Sequence, residues 1–270
     1  MKRPYFSVVI PAYKRSLQAG IKNKIFLSVV IPAYNEVKSL KKGVLNEVFD
    51  YLSKQKFAWE VLLVDDGSTD ATLKLLGNFA AKHKEFRVLA EPHRGKGGTV
   101  IAGVLKARGD IVLFADMDQA TPISEVGKFL PKFNEGYDIV IASRAGREGA
   151  PVVRKLMAYG FAVLRTLVLR LPYRDTQCGF KAFRKEAAQK IFKRMKIFNE
   201  EHVSKSAGVT AGFDLEILYI ARKLKLRVKE VPVAWLHQEG TKVNPLKDSW
   251  EGLRDLLKVR INAFLGEYRV

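Results

Sequence analysis

Residues 27–36 read Leu-Ser-Val-Val-Ile-Pro-Ala-Tyr-Asn-Glu. A β-branched apolar run that stops at a proline and turns polar at once has the pattern of a strand buried on both faces, its carboxyl end at the surface. Val37, Leu40, Val44, Val48 and Leu52 follow at helical spacing and predict a helix over 37–52. The same unit recurs. Strands are predicted over 59–64, 87–90, 110–115 and 137–143, with a helix over 99–107 and another after 70 that Ser68 or Asp70 is placed to cap. Strand–helix alternation of this kind means an α/β fold, a mainly parallel sheet flanked by helices. Such sheets bind ligands beyond the carboxyl ends of their strands. The polar residues gather at those ends: Asn35-Glu36, Asp65-Asp66, Asp116-Met117-Asp118 and Arg144.

Beyond residue 150 the texture changes. An apolar helix or helix pair is predicted over 154–171, punctuated by Arg154, Arg165 and Arg170. A short extended piece lies within 172–184 and a polar loop over 199–212. A helix over 213–224, a strand over 227–234 and a long helix over 246–265 complete the chain. On that last helix Leu246, Trp250, Leu253, Leu257, Ile261 and Phe264 share one face.

The chain of 270 residues carries 47 Lys+Arg against 28 Asp+Glu, a formal net charge of +19. With 47% apolar residues it has enough material for a core, which excludes wholesale disorder. One cysteine, Cys178, excludes a disulfide framework and a Cys-rich zinc site. A small buried residue beside Gly179 is its expected role. No stretch reaches the roughly 20 apolar residues of a membrane span, and no signal-peptide core is visible. Together these predict a soluble, reduced, cytosolic protein. Residues 25–150 are nearly neutral, with 17 basic and 16 acidic side chains, whereas 151–200 hold 12 basic against 3 acidic. The second half is therefore expected to meet something anionic. Nucleic acid is not the expected partner, because no RNA-binding or helix-turn-helix signature accompanies the charge.

Arg94-Gly95-Lys96-Gly97-Gly98 fits neither a phosphate loop nor a dinucleotide fingerprint, and the first strand runs into Pro-Ala-Tyr-Asn-Glu without glycines. A nicotinamide oxidoreductase is thereby excluded. Asp116-Met117-Asp118 has more chemical content. Two carboxylates one residue apart, just past a buried strand, can hold a hard divalent cation, which can in turn bridge diphosphate oxygens.

These segments, SVVIPAYNE (28–36), VDDGSTDAT (64–72), RGKGG (94–98), DMDQAT (116–121), SR (143–144), RDTQCGFKAF (174–183) and GFDLEILYIA (212–221), resemble glycosyltransferase family 2. The likeness runs from about Ser28 to Tyr268 and is strongest to the polyprenyl-phosphate glycosyltransferase branch, its dolichyl-phosphate glucosyl- and mannosyltransferases. RDTQCGFK and VAWLHQEGTKV (233–243) point to the glucosyl members. The resemblance implies a GT-A fold with a Rossmann-like sheet and a basic acceptor-side region toward the C-terminus. It implies a single such domain over 25–270, with a nucleotide-sugar half at 25–150 and an acceptor half at 151–270, behind a basic extension at 1–24. Pro32, Tyr34, Glu36, Asp65 and Asp66 would hold the nucleotide base and ribose. Arg94, Gly95 and Lys96 would lie along the nucleotide, and Asp116 and Asp118 would hold Mg²⁺ or Mn²⁺. Arg144 and Arg154 would receive an acceptor phosphate, and Thr241 with Lys242 would close over the diphosphate. Mannosyl members place a glutamine where Ala120 stands here, so UDP-glucose is favoured over GDP-mannose as donor. The implied activity is inverting transfer of glucose to a polyprenyl phosphate, with the protein held peripherally on an anionic membrane at its cytoplasmic face. The alternative is a soluble member that glycosylates a hydroxyl, with Asp214 as base.

Ser-Val-Val-Ile-Pro-Ala-Tyr occurs twice, at 7–13 and 28–34, and only the second copy continues into Asn35-Glu36 and an amphipathic helix. The second copy is therefore expected to supply the strand. Deletion of residues 1–21 is expected to leave soluble expression and activity unchanged. An insoluble truncated protein would show that the first copy is structural.

Overall fold

The computed structural model describes residues 25–144, 152–197, 211–236 and 245–268. Seven strands form one sheet: β1 (Leu27–Ala33), β2 (Trp59–Asp66), β3 (Phe86–Glu91), β4 (Ile111–Ala115), β5 (Ile139–Arg144), β6 (Phe180–Arg184) and β7 (Val228–Val233). Their order is β3-β2-β1-β4-β6-β5-β7. Around them lie α1 (Val37–Lys41), α2 (Val44–Leu52), α3 (Thr72–Ala80), α4 (Gly95–Lys106), a 3₁₀ turn (Ile123–Glu125), α5 (Val126–Asn134), α6 (Val152–Leu169), α7 (Lys185–Phe192), α8 (Ala211–Lys223) and α9 (Pro245–Phe264).

Both faces of the central strands are buried, as their unbroken apolar runs require. Val29 and Ile31 face a layer built on Val44, Val48, Leu52 and Phe129. Val30 faces the other layer, with Val100, Ile101, Val104, Leu215 and Leu218. The five expected strands of the first half are present, four of them with ends a residue or two from those read. The helix expected over 37–52 is two helices, because Gly43 adopts φ 83° between them. The Arg94–Gly98 segment, expected as a turn ahead of a helix at 99, already forms the first turn of α4. Asp70 rather than Ser68 serves the start of α3: its Oδ1 accepts the Thr72 N–H at 2.8 Å.

One strand departs from the parallel rule. β6 runs antiparallel between β4 and β5, so its amino end lies at the edge where β4 and β5 have their carboxyl ends. The loop leading into β6 is thereby delivered beside Asp116. On the other side, β1 and β4 are neighbours although the chain leaves β1 toward β2 and β3. That reversal of winding opens the crevice in which doubly wound sheets bind ligands.

Of the six residues expected on one face of the last helix, four point outward: Trp250 (68% exposed), Leu257, Ile261 and Phe264 (85% exposed). The residues buried in the core are Leu256 and Val259, with Leu253 of the expected six packed partly against them. The sequence places these residues on one face, and hydropathy alone does not say which surface that face packs upon.

Opposite the crevice, buried Glu60 ties three segments together. Its Oε1 accepts Ser28 Oγ–H at 2.7 Å and the Arg108 N–H at 2.8 Å, while Oε2 accepts Arg87 Nη1 at 2.9 Å and Arg108 Nε at 3.1 Å. Burial alone would raise its pKa, but these donors outweigh it and hold the carboxyl below its usual value. The stability it contributes is present above the ordinary glutamate pKa and lost as pH falls through the depressed one. Glu60→Gln is expected to cost about 2–3 kcal/mol at neutral pH. In urea titrations the wild type should then lose more stability than the variant on acidification to about pH 3.

Candidate active site

At the carboxyl end of β1 the chain turns through Asn35 in a left-handed conformation, φ 54°. The strain is held by hydrogen bonds: the Asn35 N–H donates to Ser68 Oγ at 3.0 Å, and Asn35 Oδ1 accepts the Thr69 N–H at 2.9 Å. The next residue, Glu36, donates its N–H to Thr72 Oγ1 at 2.7 Å. Two strand-end turns are thus locked together. Asp65 lies buried at the end of β2, with Oδ2 accepting the Ser68 N–H at 3.0 Å and Oδ1 buried without a partner. Asp66 accepts the Arg94 N–H at 2.7 Å and faces His93 Nδ1 at 2.9 Å. The His93 ring stacks on Tyr34 with centroids 4.4 Å apart. Tyr34, Asp65, Asp66 and the start of α4 are brought together at one end of the sheet, as expected. His93 is a member that the sequence reading passed over.

Beside this lies the acidic pair. Lys96, in the first turn of α4, places Nζ 2.5 Å from Asp116 Oδ1. Burial alone would lower the Lys96 pKa, but Asp116 outweighs it and raises the ammonium above its usual value. Asp118 is held above the ordinary carboxylate range, first by burial and further by Asp116, against the hydrogen bond it accepts from the Ala120 N–H at 3.0 Å. Glu36 is raised as well, mainly by burial, with Asp118 and Asp116 adding repulsion. Gln119 takes φ 49° and turns its Nε2 back to the Asp116 carbonyl at 2.9 Å, leaving Oε1 buried without a partner. Gly179, in the loop before β6, presses against the pair: a Cβ there would lie 2.5 Å from Asp116 Cγ.

The third component is cationic. Arg144, at the end of β5, is gripped by Asp175 through Nε (2.6 Å) and Nη2 (2.9 Å), and its own N–H donates to the same carboxylate at 3.2 Å. The guanidinium holds Asp175 below the usual carboxylate range despite the burial that opposes it. Glu230 on β7 accepts the Asp175 N–H at 2.7 Å and the Arg174 N–H at 3.0 Å, fixing the loop that carries the grip. Trp235 covers Arg144 from the side, 5.9 Å from guanidinium carbon to ring centroid. Asp214 begins α8 as read, but it is buried, and its Oδ1 accepts Lys181 Nζ at 2.6 Å. Burial raises its pKa against the pull of that ammonium. The side chain of Arg154, along with Thr241 and Lys242, lies outside the described residues. Asp175, Glu230 and Lys181 were quoted within motifs or passed over; their roles show only when β6 and β7 are placed side by side with β5.

A family model described as glycosyl transferase family 2 matches residues 28–192. The chain belongs to glycosyltransferase family 2. It is 35% identical over 263 residues to a dolichyl-phosphate beta-glucosyltransferase of Homo sapiens, covering 90% of this chain and 78% of the relative. To the enzyme of the same name from Dictyostelium discoideum it is 32% identical over 266 residues, covering 92% and 78%. Among solved structures, mannosyl-3-phosphoglycerate synthase from Rubrobacter xylanophilus matches with a TM-score of 0.66 at 19% identity, over 96% of this chain and 79% of that one. Glucosyl-3-phosphoglycerate synthase from Mycobacterium tuberculosis, in complex with Mn²⁺, UDP-glucose and phosphoglyceric acid, matches with 0.62 at 21% identity, over 96% and 86%. At these identities the structural likeness establishes the GT-A fold.

In this glycosyltransferase the acidic pair fits a hard divalent cation. Its donors are carboxylate oxygens, and glycine at 179 leaves them room. Among the described residues no group of three or more His, Cys, Asp and Glu is arranged to hold a metal by itself. An ion on Asp116 and Asp118 would therefore take its remaining oxygens from the diphosphate and water. Gly179→Ala displaces Asp116 without touching the core. Activity is expected to fall about a hundredfold, with circular dichroism and the melting temperature nearly unchanged. Wild-type rates of nucleotide release would show that this packing is not needed.

Proposed function

We propose that this enzyme transfers glucose from UDP-glucose to a polyprenyl phosphate with inversion, on an anionic membrane surface. The observation that carries the reading is Arg144. Its guanidinium stands at the carboxyl end of the sheet with Nε and Nη2 committed to Asp175, which leaves Nη1 as the donor not used by that pair. A charge-assisted hydrogen bond from a preoriented guanidinium suits an acceptor phosphate. The donor and acceptor classes are those in the names of the similar dolichyl-phosphate beta-glucosyltransferases.

Asp65, with its unpartnered Oδ1, and Tyr34 would hold the base, and Pro32 and Asp66 the rest of the nucleoside. Asp116 and Asp118 would hold Mg²⁺ or Mn²⁺ on the diphosphate; when bound, the cation offsets charge on the leaving group. Lys96 would turn from Asp116 to donate to the same diphosphate, at the amino end of α4, where an anion is already favoured. The acceptor oxygen attacks the anomeric carbon from the face opposite the diphosphate. The new C–O bond forms as the old one breaks, and UDP departs with the electron pair. A phosphate monoester reaches the site already ionised and needs no base. A hydroxyl acceptor would need one, and Asp214 is buried against Lys181.

The exposed apolar side chains of α9 continue onto α6 with Leu167 (73% exposed), Leu164 and Val163, and the two helices pack together. Exposed Lys258 and Arg260 flank them. An apolar face rimmed by cations suits an anionic bilayer, and this is where we place the membrane contact. Among the described residues no helix is long and apolar enough to cross one.

With UDP-glucose, a divalent cation and a polyprenyl phosphate in anionic vesicles, acceptor-dependent UDP release is expected, exceeding that with GDP-mannose. Arg144→Ala is expected to raise the acceptor KM and lower kcat/KM by about 10²-fold or more, as for loss of a buried charge-assisted contact. Equal activity of the variant, or transfer to hydroxyl acceptors alone, would overturn the reading.

A further inference from the structure

Beyond β7 the chain leaves the sheet and is bonded to the segment that follows β4. The Ala234 N–H donates to the Glu125 carboxylate at 3.2 Å, and the Leu236 N–H donates to the Ala120 carbonyl at 2.7 Å. Glu125 is itself buried and held by Lys128 Nζ at 2.6 Å. Residues 234–236 are therefore anchored at both ends to the segment that follows Asp118, with the Trp235 ring 5.9 Å from the Arg144 guanidinium. Two large apolar side chains stand on this anchored backbone, and neither is buried: Trp235 is 43% exposed and Leu236 54%. Chain held so firmly has no mobility reason to leave such residues in water. Their placement calls for an apolar group that arrives with a ligand.

We propose that Trp235 and Leu236 seat the first isoprene unit of the acceptor, and that this seat, rather than Arg144, sets the acceptor class. The inference rests on the prenyl-phosphate reading above. The guanidinium of Arg144 recognises phosphate whatever the phosphate is attached to. Asp175 occupies one edge of it and the Trp235 ring covers it at 5.9 Å. A monoester held by the guanidinium carries its organic group within reach of that ring and of Leu236. A hydrocarbon placed there leaves water and covers two exposed side chains, a gain proportional to the area buried. A polar group such as glycerate loses hydration against the same largely apolar surface. The ring is also rigid, with two side-chain torsions to fix, so little entropy opposes the contact.

Selectivity is the measurement, as the ratio of kcat/KM for farnesyl phosphate to that for ethyl phosphate, both with UDP-glucose. Trp235→Gln is expected to lower the ratio about tenfold or more, mainly through the farnesyl phosphate KM, with the UDP-glucose KM unmoved. Trp235→Phe, which keeps an apolar ring, is expected to hold the ratio within about twofold of wild type. Arg144→Lys is expected to lower both substrates alike and leave the ratio in place. A Trp235→Gln enzyme that folds, by its melting temperature, and loses both substrates equally would show that the ring acts only through Arg144, and the proposal would fall. An unchanged ratio would overturn it too. If the wild type uses farnesyl phosphate, only the seat is wrong; if it uses neither phosphate, the prenyl-phosphate reading fails and takes the seat with it.

Discussion

A buried ammonium holds the two halves of the site in register. Lys181 is fully buried on β6, and its Nζ donates to the Cys178 carbonyl and to Asp214 Oδ1, each at 2.6 Å, above the Phe114 ring. Burying a charge is costly, and removing one partner of such a pair costs about 3–5 kcal/mol because the other is left uncompensated. The pair therefore fixes the relation between β6, α8 and the 178–179 loop to within a hydrogen bond. Through that loop, Gly179 sets where Asp116 lies, and Asp116 sets where Lys96 lies. Further along the same loop, Asp175 sets the direction of Arg144. The groups proposed to meet donor and acceptor are held by one segment, 175–181.

The charges of the site are distributed accordingly. On the donor side, burial and mutual repulsion raise Glu36 and Asp118, an arrangement short of positive charge. On the acceptor side Arg144 is matched by Asp175 and covered by Trp235, so its cation is positioned rather than merely present. Net charge reports neither fact. The formal +19 bears on association with anionic partners, whereas the proposed chemistry rests on a few groups of both signs at the carboxyl end of the sheet. Solved phosphoglycerate synthases share this fold at about one fifth identity. The fold alone cannot account for an acceptor; the side chains on the loops must.

Much of this was legible in the sequence because parallel strands buried on both faces are nearly continuous apolar runs, and their polar ends mark the ligand edge. Pro32 to Glu36, Asp65-Asp66 and Asp116 to Asp118 were found in that way. β6 lies within the extended piece expected over 172–184, but its five residues, Phe-Lys-Ala-Phe-Arg, carry an internal lysine that no strand pattern predicts to be buried. Its ion pair with Asp214, 33 residues away, exists only in the folded chain. The same lack of local signal hid Asp175 and Glu230, whose partners come from β5 and from the loop ahead of β6. Gly43 was visible, but a helix pattern tolerates one glycine, and only its positive φ shows that the helix is broken there.

The last helix shows where pattern reading reaches its limit. A stripe of Trp250, Leu257, Ile261 and Phe264 has the periodicity of a core face, and periodicity is blind to which of two apolar stripes the core takes. On α9 the second stripe, Leu256 and Val259, is completely buried against α8 and its neighbours, while Tyr268 just beyond the helix donates to Glu216 Oε1 at 2.8 Å. That hydrogen bond fixes the helix in rotation, since a turn of about 100° per residue separates the two stripes. Once the narrower stripe is anchored, the wider one has to face outward, beside the exposed leucines of α6. The geometry that locks Tyr268 inward is thus the same geometry that presents an apolar face at the surface.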